Sequence, residues 1–208
     1  MDKVFLGGRF KDPYYQARRD KAAFVAVACV RPERTCFCNW TGGGPADRTN
    51  ADVLLTPVAG GYVAEACTAV GEELLAAGNF ADAGPKAEEA QAVQAKAEAA
   101  MPAKPDFTDL PEKLYRLFED AAFWEEMAAK CLSCGACTYL CPTCSCFNIT
   151  DEAAGLQGKR IRTWDTCMSF LYTLEGSGHN PRAAKIQRMR NRVGHKFCYH
   201  PQSHGGEI

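Results

Sequence analysis

The sequence predicts an α+β fold, with a small α/β domain at the N-terminus followed by a mainly helical domain. Three observations predict it. Apolar runs rich in β-branched residues occupy the first 80 residues, whereas apolar residues recur at helical spacing from residue 110 onward. Between them, Ala, Glu, Lys and Gln dominate, punctuated by prolines. We therefore expect domains over 1–80 and 108–208, joined by a linker or exposed helix over 81–107.

The elements of the first domain follow from three apolar segments, a turn and a short helical segment. Residues 21–30 read KAAFVAVACV, a continuous apolar run that predicts a buried strand. Residues 51–58 and 62–68 flank an Ala-Gly-Gly turn, which predicts a β-hairpin. A short helix over 71–78 then closes this domain.

The second domain is predicted to consist mainly of helices. Over 110–130 the apolar residues recur at helical spacing, which indicates one amphipathic helix that leads into a cysteine-rich loop. Two further helices are predicted, over 166–174 and over 182–192. Asn180 and Pro181 provide a capping residue and a first-turn proline for the last of these helices.

The cysteine-rich loop carries the most specific motif of the chain. Cys131, Cys134, Cys137 and Cys141 have the spacing C-x2-C-x2-C-x3-C and are followed by proline, which is an iron–sulfur cluster signature. Two-residue gaps let a tight loop aim three thiolates at one cluster, and Gly135 helps the backbone turn. We assign Cys131, Cys134 and Cys137 to a first 4Fe-4S cluster. Cys141 is either its fourth ligand or a ligand of a second cluster, as in two-cluster ferredoxins.

A zinc-stabilised protein-interaction module is the main alternative for the same thiols. Zinc sites usually pair two Cys or His units across a longer gap, and none of the four histidines is near this loop. Such a module would be colourless, whereas an iron–sulfur protein is brown.

Cys29, Cys36 and Cys38 form a second group of thiols at a predicted strand end and in the loop after it. This arrangement predicts an N-terminal metal or cluster site, and the alternative is three buried thiols that act as small apolar groups. The neighbouring glycines 42–44 raise a flavoenzyme alternative, in which they hold a cofactor phosphate. Their sequence matches neither the G-x-G-x-x-G fingerprint nor a Walker loop.

Four cysteines follow the cluster motif as possible additional ligands. Cys144 and Cys146 lie close to the motif, whereas Cys167 and Cys198 are more distant in the sequence. Any of them could complete a cubane cluster, and the sequence does not choose between them.

The helix over 182–192 is strongly basic, with no acidic residue between Asn180 and His204. Arg182, Arg188, Arg190 and Arg192 could dock an acidic partner, or their charge could raise the reduction potential of a nearby cluster. The alternative is a solvated helix that pairs with the acidic segment over 112–126.

Composition and charge exclude several classes of function. The formal net charge is -1, which points to neither nucleic acid nor a membrane surface as a partner. No apolar run approaches the length of a membrane span, and the N-terminus does not resemble a secretory leader. The 12 cysteines therefore fit a reducing cytoplasm best. No residues suggest a catalytic base, nucleophile or phosphate loop.

Several segments together resemble one family. These are the cysteine motif continued as CPTCSCF, RTWDTCM over 162–168, GHNPR over 178–182, HKFCY over 195–199, and near the N-terminus FLGG, DPYYQARR and CFC. They resemble the iron–sulfur beta subunit of soluble sulfhydrogenase-type nickel–iron hydrogenases and the related A subunit of anaerobic sulfite reductase. The resemblance implies one to three 4Fe-4S clusters that carry electrons between a flavin subunit and a hydrogenase or reductase subunit.

The chain also departs from the family pattern at both ends. Family members carry a second C-x2-C-x2-C-x3-C-P run after the point where this chain stops, and a cysteine before its start. Both segments would supply cluster ligands, so we expect this chain to be the middle of a longer protein. If it is complete, Cys167, Cys198 or a partner subunit must supply the missing thiolates.

Overall fold

The computed structural model describes residues 1–141 and 143–203. Pro142 of the motif and the last five residues of the predicted second domain lie outside this part of the chain. The helices are α1 (Asp2–Leu6), α2 (Pro13–Arg19), α3 (Ala69–Ala77), α4 (Lys86–Ala99), α5 (Leu110–Arg116), α6 (Ala121–Ala128), α7 (Ala136–Tyr139), α8 (Lys185–Gly194) and α9 (His200–Ser203). The strands are β1 (Val25–Val27), β2 (Val53–Val58), β3 (Gly61–Ala66), β4 (Phe147–Ala154) and β5 (Gln157–Trp164). The predicted α+β class is confirmed.

The chain divides into two compact units that differ from the predicted boundaries. One unit is Pro13–Asp106, and the other combines Met1–Asp12 with the chain from Phe107 onward. Residues 81–106 thus group with the N-terminal sheet rather than forming a separate linker. None of the described helices is long and apolar enough to cross a membrane.

The N-terminal unit is built on a three-stranded sheet in the order β1-β2-β3. β2 and β3 form the predicted antiparallel hairpin, in which Val58 pairs with Gly61, and Gly60 takes a φ of +83° in the turn. β1 runs parallel to β2 but is only three residues long. Its Val25 and Val27 are 54% and 60% exposed, because β1 lies at the edge of the sheet. The prediction of a buried strand over 21–30 is therefore wrong.

Helix α4 packs against this sheet through small side chains. Ala90 and Ala97 are 3% and 1% exposed. The Gln94 side chain donates to Thr56 Oγ1 at 2.7 Å, and Glu89 accepts from the backbone N–H of Ala59 at 2.8 Å. An alanine face lets a helix approach a sheet closely. Of the two alternatives predicted for 81–107, a linker or an exposed helix, the structure thus has a helix over Lys86–Ala99, and this helix buries Ala90 and Ala97.

The helices of the second unit are shorter and more numerous than the sequence predicts. The single helix predicted over 110–130 is two helices, because the Asp120 side chain accepts from Phe123 N at 3.0 Å and starts α6 anew. Leu114 and Trp124 anchor the core, and the Trp124 indole donates to Leu117 O at 2.8 Å. The segment over 166–174 contains only a 3-10 turn at Phe170–Thr173.

Helix α8 begins three residues later than predicted, at Lys185. The Asn180 side chain accepts from Arg182 N at 3.0 Å, so it caps a turn that precedes the helix. After α8 the chain continues as a π-helical turn over His195–Tyr199 and then as α9.

The β4–β5 hairpin was not expected in a mainly helical domain. Its antiparallel register runs from Phe147 paired with Trp164 to Ala154 paired with Gln157, and Gly155 takes a φ of +62° in the turn. Nearly all of its residues are exposed, so the apolar pattern of a core strand is weak here. Phe147 and Ile149 alternate with polar residues, but Asp151 ends the alternation, so the signal for a strand is short.

Candidate metal centre

The cysteine loop, which we define as Cys131 to Thr143, is bent by two residues with positive φ. It starts directly after α6, where Cys131 N donates to Ala128 O at 2.9 Å. Ser133 has a φ of +55° and Gly135 a φ of +75°, so the loop turns sharply where the sequence predicts that glycine is needed. The N–H of Ser133 donates to Cys131 Sγ at 3.4 Å, the kind of contact that stabilises a thiolate.

A hydrogen bond between two threonines ties this loop to the segment that carries Cys167. Thr138 Oγ1 donates to Gly135 O at 2.7 Å and is 2.5 Å from Thr166 Oγ1. Thr138 is buried, so this contact fixes the loop from its inner side. This pair could not be predicted from the sequence, because the two threonines are 28 residues apart.

A cleft of about 740 Å³ brings together cysteines from both sides of the loop. Cys134, Cys141 and Cys144 line it, together with Trp164 and Thr166. Cys134 is exposed, whereas Cys141 and Cys144 are half-buried. The cleft therefore gives solvent access to one proposed ligand of the first cluster, Cys134, and to two cysteines proposed for further ligation, Cys141 and Cys144.

Cys141 lies in surroundings that favour its thiolate. Burial opposes the charge, but hydrogen bonds from Thr143 and Lys196 outweigh it and lower the pKa of Cys141 to about 7. The Thr143 hydroxyl lies 3.2 Å from the sulfur. A thiolate is the form that binds iron, so these neighbours suit the predicted role of Cys141 as a ligand.

Cys144, Cys146 and Cys167 form a second thiol group. A hydrogen bond from Cys167, followed by contacts with Tyr172 and Cys144, lowers the pKa of Cys146 to about 5. The same bond and burial raise the pKa of Cys167. Burial raises the pKa of Cys144, and burial with the Cys146 charge raises that of Tyr172 to about 12. Of the four possible additional ligands, three therefore lie near enough to affect one another's pKa.

The fourth, Cys198, is part of the hydrophobic core. It is 1% exposed and packs with Leu114 and Trp124, and burial raises its pKa. This environment suits a small apolar side chain rather than a charged ligand. We therefore no longer expect Cys198 to complete a cluster.

The basic helix α8 turns cations toward the cysteine loop. Lys185 Nζ donates to Ala129 O and Cys131 O at 3.3 and 3.2 Å. Arg188 donates to Ser133 Oγ at 3.3 Å, and Arg192 donates to Cys137 O. The spacing of these residues along the helix could have predicted a common face, but not what that face contacts.

The predicted docking role of the four arginines is not shared by all of them. Arg188 is only 6% exposed and also donates to the carbonyls of Arg182 and Ala183, so it cannot contact a partner. Arg190 pairs with Glu119 at 3.1 Å and lies over the Phe118 ring, which matches the predicted pairing with the acidic segment. Docking stays a prediction for Arg182.

The N-terminal thiols lie in a different setting. Cys29 and Cys38 are exposed, and Cys36 Sγ accepts from Glu33 N at 3.2 Å. Acidic side chains lie against the glycine segment that follows. A Cβ at Gly44 would be 2.6 Å from a Glu98 carboxylate oxygen, and one at Gly43 would be 3.1 Å from an Asp47 oxygen. Two carboxylates repel a phosphate, which disfavours the flavoenzyme alternative.

The donor chemistry of the cysteine loop fits a 4Fe-4S cluster. It offers sulfur ligands, an N–H to sulfur contact and cations beside them. Within residues 1–141 and 143–203, however, no three His, Cys, Asp or Glu side chains are grouped closely enough to hold a metal ion. The fit is therefore one of donor type and surroundings, and the ligand sets at both cysteine groups stay predictions.

Comparisons with known proteins agree with the sequence motifs. Residues 130–208 match the domain family described as the 4Fe-4S dicluster domain. Over 210 residues the chain is 29% identical to sulfhydrogenase 2 subunit beta of Pyrococcus furiosus, which covers 98% of this chain and 61% of that protein. The chain thus spans about three-fifths of the length of this relative. No solved structure matches the chain.

These comparisons confirm the predicted resemblance and the predicted type of cofactor. The residues matched by the dicluster domain include all four cysteines of the motif and the second thiol group. The similarity to the sulfhydrogenase subunit extends over nearly the whole chain, so it includes the N-terminal unit. The zinc alternative is not favoured by either comparison.

Proposed function

We propose that this chain is an iron–sulfur electron-transfer subunit of a multi-subunit cytoplasmic oxidoreductase. It relays electrons between a flavin subunit that uses a nicotinamide nucleotide and a hydrogenase or reductase subunit. The observation that carries the proposal is the cysteine loop, with its signature spacing, its bent backbone and its cationic neighbours, inside a matched 4Fe-4S dicluster domain.

Some residues are proposed to bind the cluster, and others to stabilise the charge on its sulfur ligands. Cys131, Cys134 and Cys137 are the proposed ligands of the first cluster, and a 4Fe-4S cluster at this position accepts and releases single electrons. Cys134 and Cys137 are exposed, which keeps the site near the surface, where a partner protein can approach it. Ser133 N–H and the cations of α8 stabilise the negative charge on sulfur.

Cys141 and the second thiol group are the proposed link to further clusters. Cys141 and Cys144 line the same cleft. In two-cluster ferredoxins the cysteine at this position ligates the other cluster, whose remaining ligands come from elsewhere. Cys144, Cys146 and Cys167 are candidates for those ligands, and Cys29, Cys36 and Cys38 are the candidates for a separate N-terminal site.

The test is the content of iron, acid-labile sulfide and zinc in protein purified without oxygen. We expect about four irons per chain, or a multiple of four, with matching sulfide. Cys134→Ser should lower this content by one cluster. Cys67→Ser is the matched control, because Cys67 is a half-buried cysteine beside the N-terminal sheet and outside every proposed ligand group. Zinc without sulfide would instead identify the zinc-stabilised module.

The proposed partners need a separate test. A flavoprotein with a nicotinamide nucleotide should bleach the cluster absorbance of this chain, whereas the nucleotide alone should not. Bleaching by the nucleotide alone would mean that the chain itself contains a flavin site and is not a simple relay.

A further inference from the structure

We propose that one face of helix α8 forms a cationic brace, consisting of Lys185, Arg188, Arg192 and, one turn later, Lys196, which raises the reduction potential of the cluster at the cysteine loop. The inference rests on the proposed function, because it concerns the cluster which that function requires. Of the two roles that the sequence suggested for the basic helix, docking of a partner and adjustment of a cluster potential, it selects the second and assigns it to named side chains.

The contacts of the brace follow the loop from its first residue to its last. Lys185 donates to Ala129 O and Cys131 O, and Arg188 donates to Ser133 Oγ. One turn further along, Arg192 donates to Cys137 O, and Lys196 Nζ lies 3.5 Å from Thr143 Oγ1. The four residues are separated by three, four and four positions, so they share one side of the helical segment.

The two cations at the end of the brace also lie beside proposed ligand cysteines. Arg192 donates to the carbonyl of Cys137, and Lys196 Nζ lies 3.5 Å from Thr143 Oγ1, which is itself 3.2 Å from Cys141 Sγ. Lys196 and Arg192 are both half-buried, so bulk water and salt screen their charge less than they would on an exposed helix.

The direction of the effect follows from charge. Reduction adds one electron to a cluster that already carries thiolate charge, so the reduced form is more negative than the oxidised form. A fixed positive charge beside the thiolates stabilises the reduced form more, and the reduction potential rises. No acidic residue lies between Asn180 and His204 to cancel this field from the same segment.

Arg190 provides a contrast within the same helix. It points to the other side, where it donates to Phe118 O and pairs with Glu119. Its charge is therefore neutralised by a carboxylate, whereas Arg192 is directed at backbone carbonyls and sulfurs. Arg190 thus packs against the segment that connects α5 and α6, at Phe118 and Glu119, whereas the residues of the brace contact the cysteine loop.

The experiment is a redox titration of the whole chain, purified without oxygen and followed by electron paramagnetic resonance of the reduced cluster. Arg192→Gln removes the charge but keeps a donor for Cys137 O, and Arg192→Lys keeps the charge. Arg116→Gln is the matched control, because it removes one exposed arginine from α5, where it pairs only with Glu112. We expect a lower midpoint potential in Arg192→Gln and wild-type potentials in the other two variants.

Lys196→Gln gives an independent measurement if Arg192→Gln does not retain its cluster. It removes the second charge near Cys141 while leaving the Arg192 contact with Cys137 O in place, and its midpoint potential should also fall. Unchanged potentials in both glutamine variants would overturn the inference, as would an equal shift in Arg192→Lys, which would indicate a purely structural role. Wild-type protein without iron and sulfide would overturn the proposed function, and with it this inference.

Discussion

The two cysteine groups of the chain differ in spacing and have opposite electrostatic surroundings. In the C-terminal unit, Arg192 donates to Cys137 O, and Lys196 lies beside Thr143 and helps to lower the pKa of Cys141. In the N-terminal unit, the carboxylates of Asp47 and Glu98 lie against the glycine segment that follows Cys38. Ligand binding requires thiolates, and cations favour thiolates whereas carboxylates oppose them. Spacing therefore identifies possible ligands, but the surroundings decide how strongly a group of thiols holds a cluster.

The largest expected effect is on iron content, and it compares the two groups directly. Cys137→Ser should remove about four irons per chain, because it deletes a proposed ligand of the first cluster. Cys38→Ser should remove less iron, because the proposed N-terminal site has three thiols rather than four and no cation of α8 belongs to its unit. Iron and sulfide analysis of both variants measures the difference. Equal losses would show that the carboxylates do not weaken the N-terminal site.

The second prediction concerns the reactivity of thiols within the C-terminal group after removal of metal with a chelator. Cys146 has a lowered pKa of about 5, so it is a thiolate above that pH. Its alkylation by iodoacetamide should rise through pH 5 and reach a plateau before pH 7. Cys167 has a raised pKa and is buried, so it should stay unmodified over the same range. Peptide mass spectrometry after timed alkylation gives both rates.

The opposite order of reactivity, with Cys167 modified first, would mean that the hydrogen bond between the two sulfurs is not formed in solution. The matched control is Cys67, which belongs to the other unit and has no sulfur neighbour in the second thiol group. Its alkylation rate should not depend on removal of the metal, because Cys67 lies outside every proposed ligand group.

Local signals predicted much of the fold, and the failures have physical causes. The hairpin of β2 and β3 was predictable, since its turn residues and β-branched strands act over a few residues. For the segment of α4 the sequence left a linker and an exposed helix open, because the buried face of the helix consists of alanines, which are apolar but too small to stand out as a core. The β4–β5 hairpin was missed because its exposed strands bury almost nothing and so lack a strong apolar alternation.

The candidate site also has a part that local sequence predicts and a part that only the folded chain shows. The cluster motif could be predicted from spacing alone, because its ligands lie within eleven residues of each other. The partners of α8 could not, because Arg192 and Cys137 are 55 residues apart and only the folded chain brings them together. The sequence showed a basic helix, and it could not show that its charges face inward to the loop.

The third prediction tests one of those charges on a thiol. Lys196→Met should raise the pKa of Cys141 above its value of about 7, by roughly one unit, because it removes a hydrogen bond and a positive charge. The pH at which alkylation of Cys141 is half-maximal in the metal-free chain reports this pKa. The pH profile of Cys146 should stay in place, since Lys196 is not among the groups that lower its pKa. A shift of both profiles would indicate a general rearrangement of the loop.

The smallest expected effect belongs to the N-terminal glycines, and it tests whether their loop needs close approach to a ligand. Gly42 has a φ of +87°, so Gly42→Ala should cost about 1 kcal/mol of unfolding free energy from backbone strain. Gly44→Ala meets only the end of the flexible Glu98 side chain and should stay within about 0.5 kcal/mol of wild type. Denaturant unfolding measures both. If Gly44→Ala instead released a yellow cofactor, the glycine segment would bind a phosphate, and the Asp47 and Glu98 carboxylates would have to move away from that phosphate. If Gly44→Ala behaves like wild type, the segment needs no close approach to a ligand. The acidic side chains beside it then distinguish this segment from the cysteine loop, which has cations beside it.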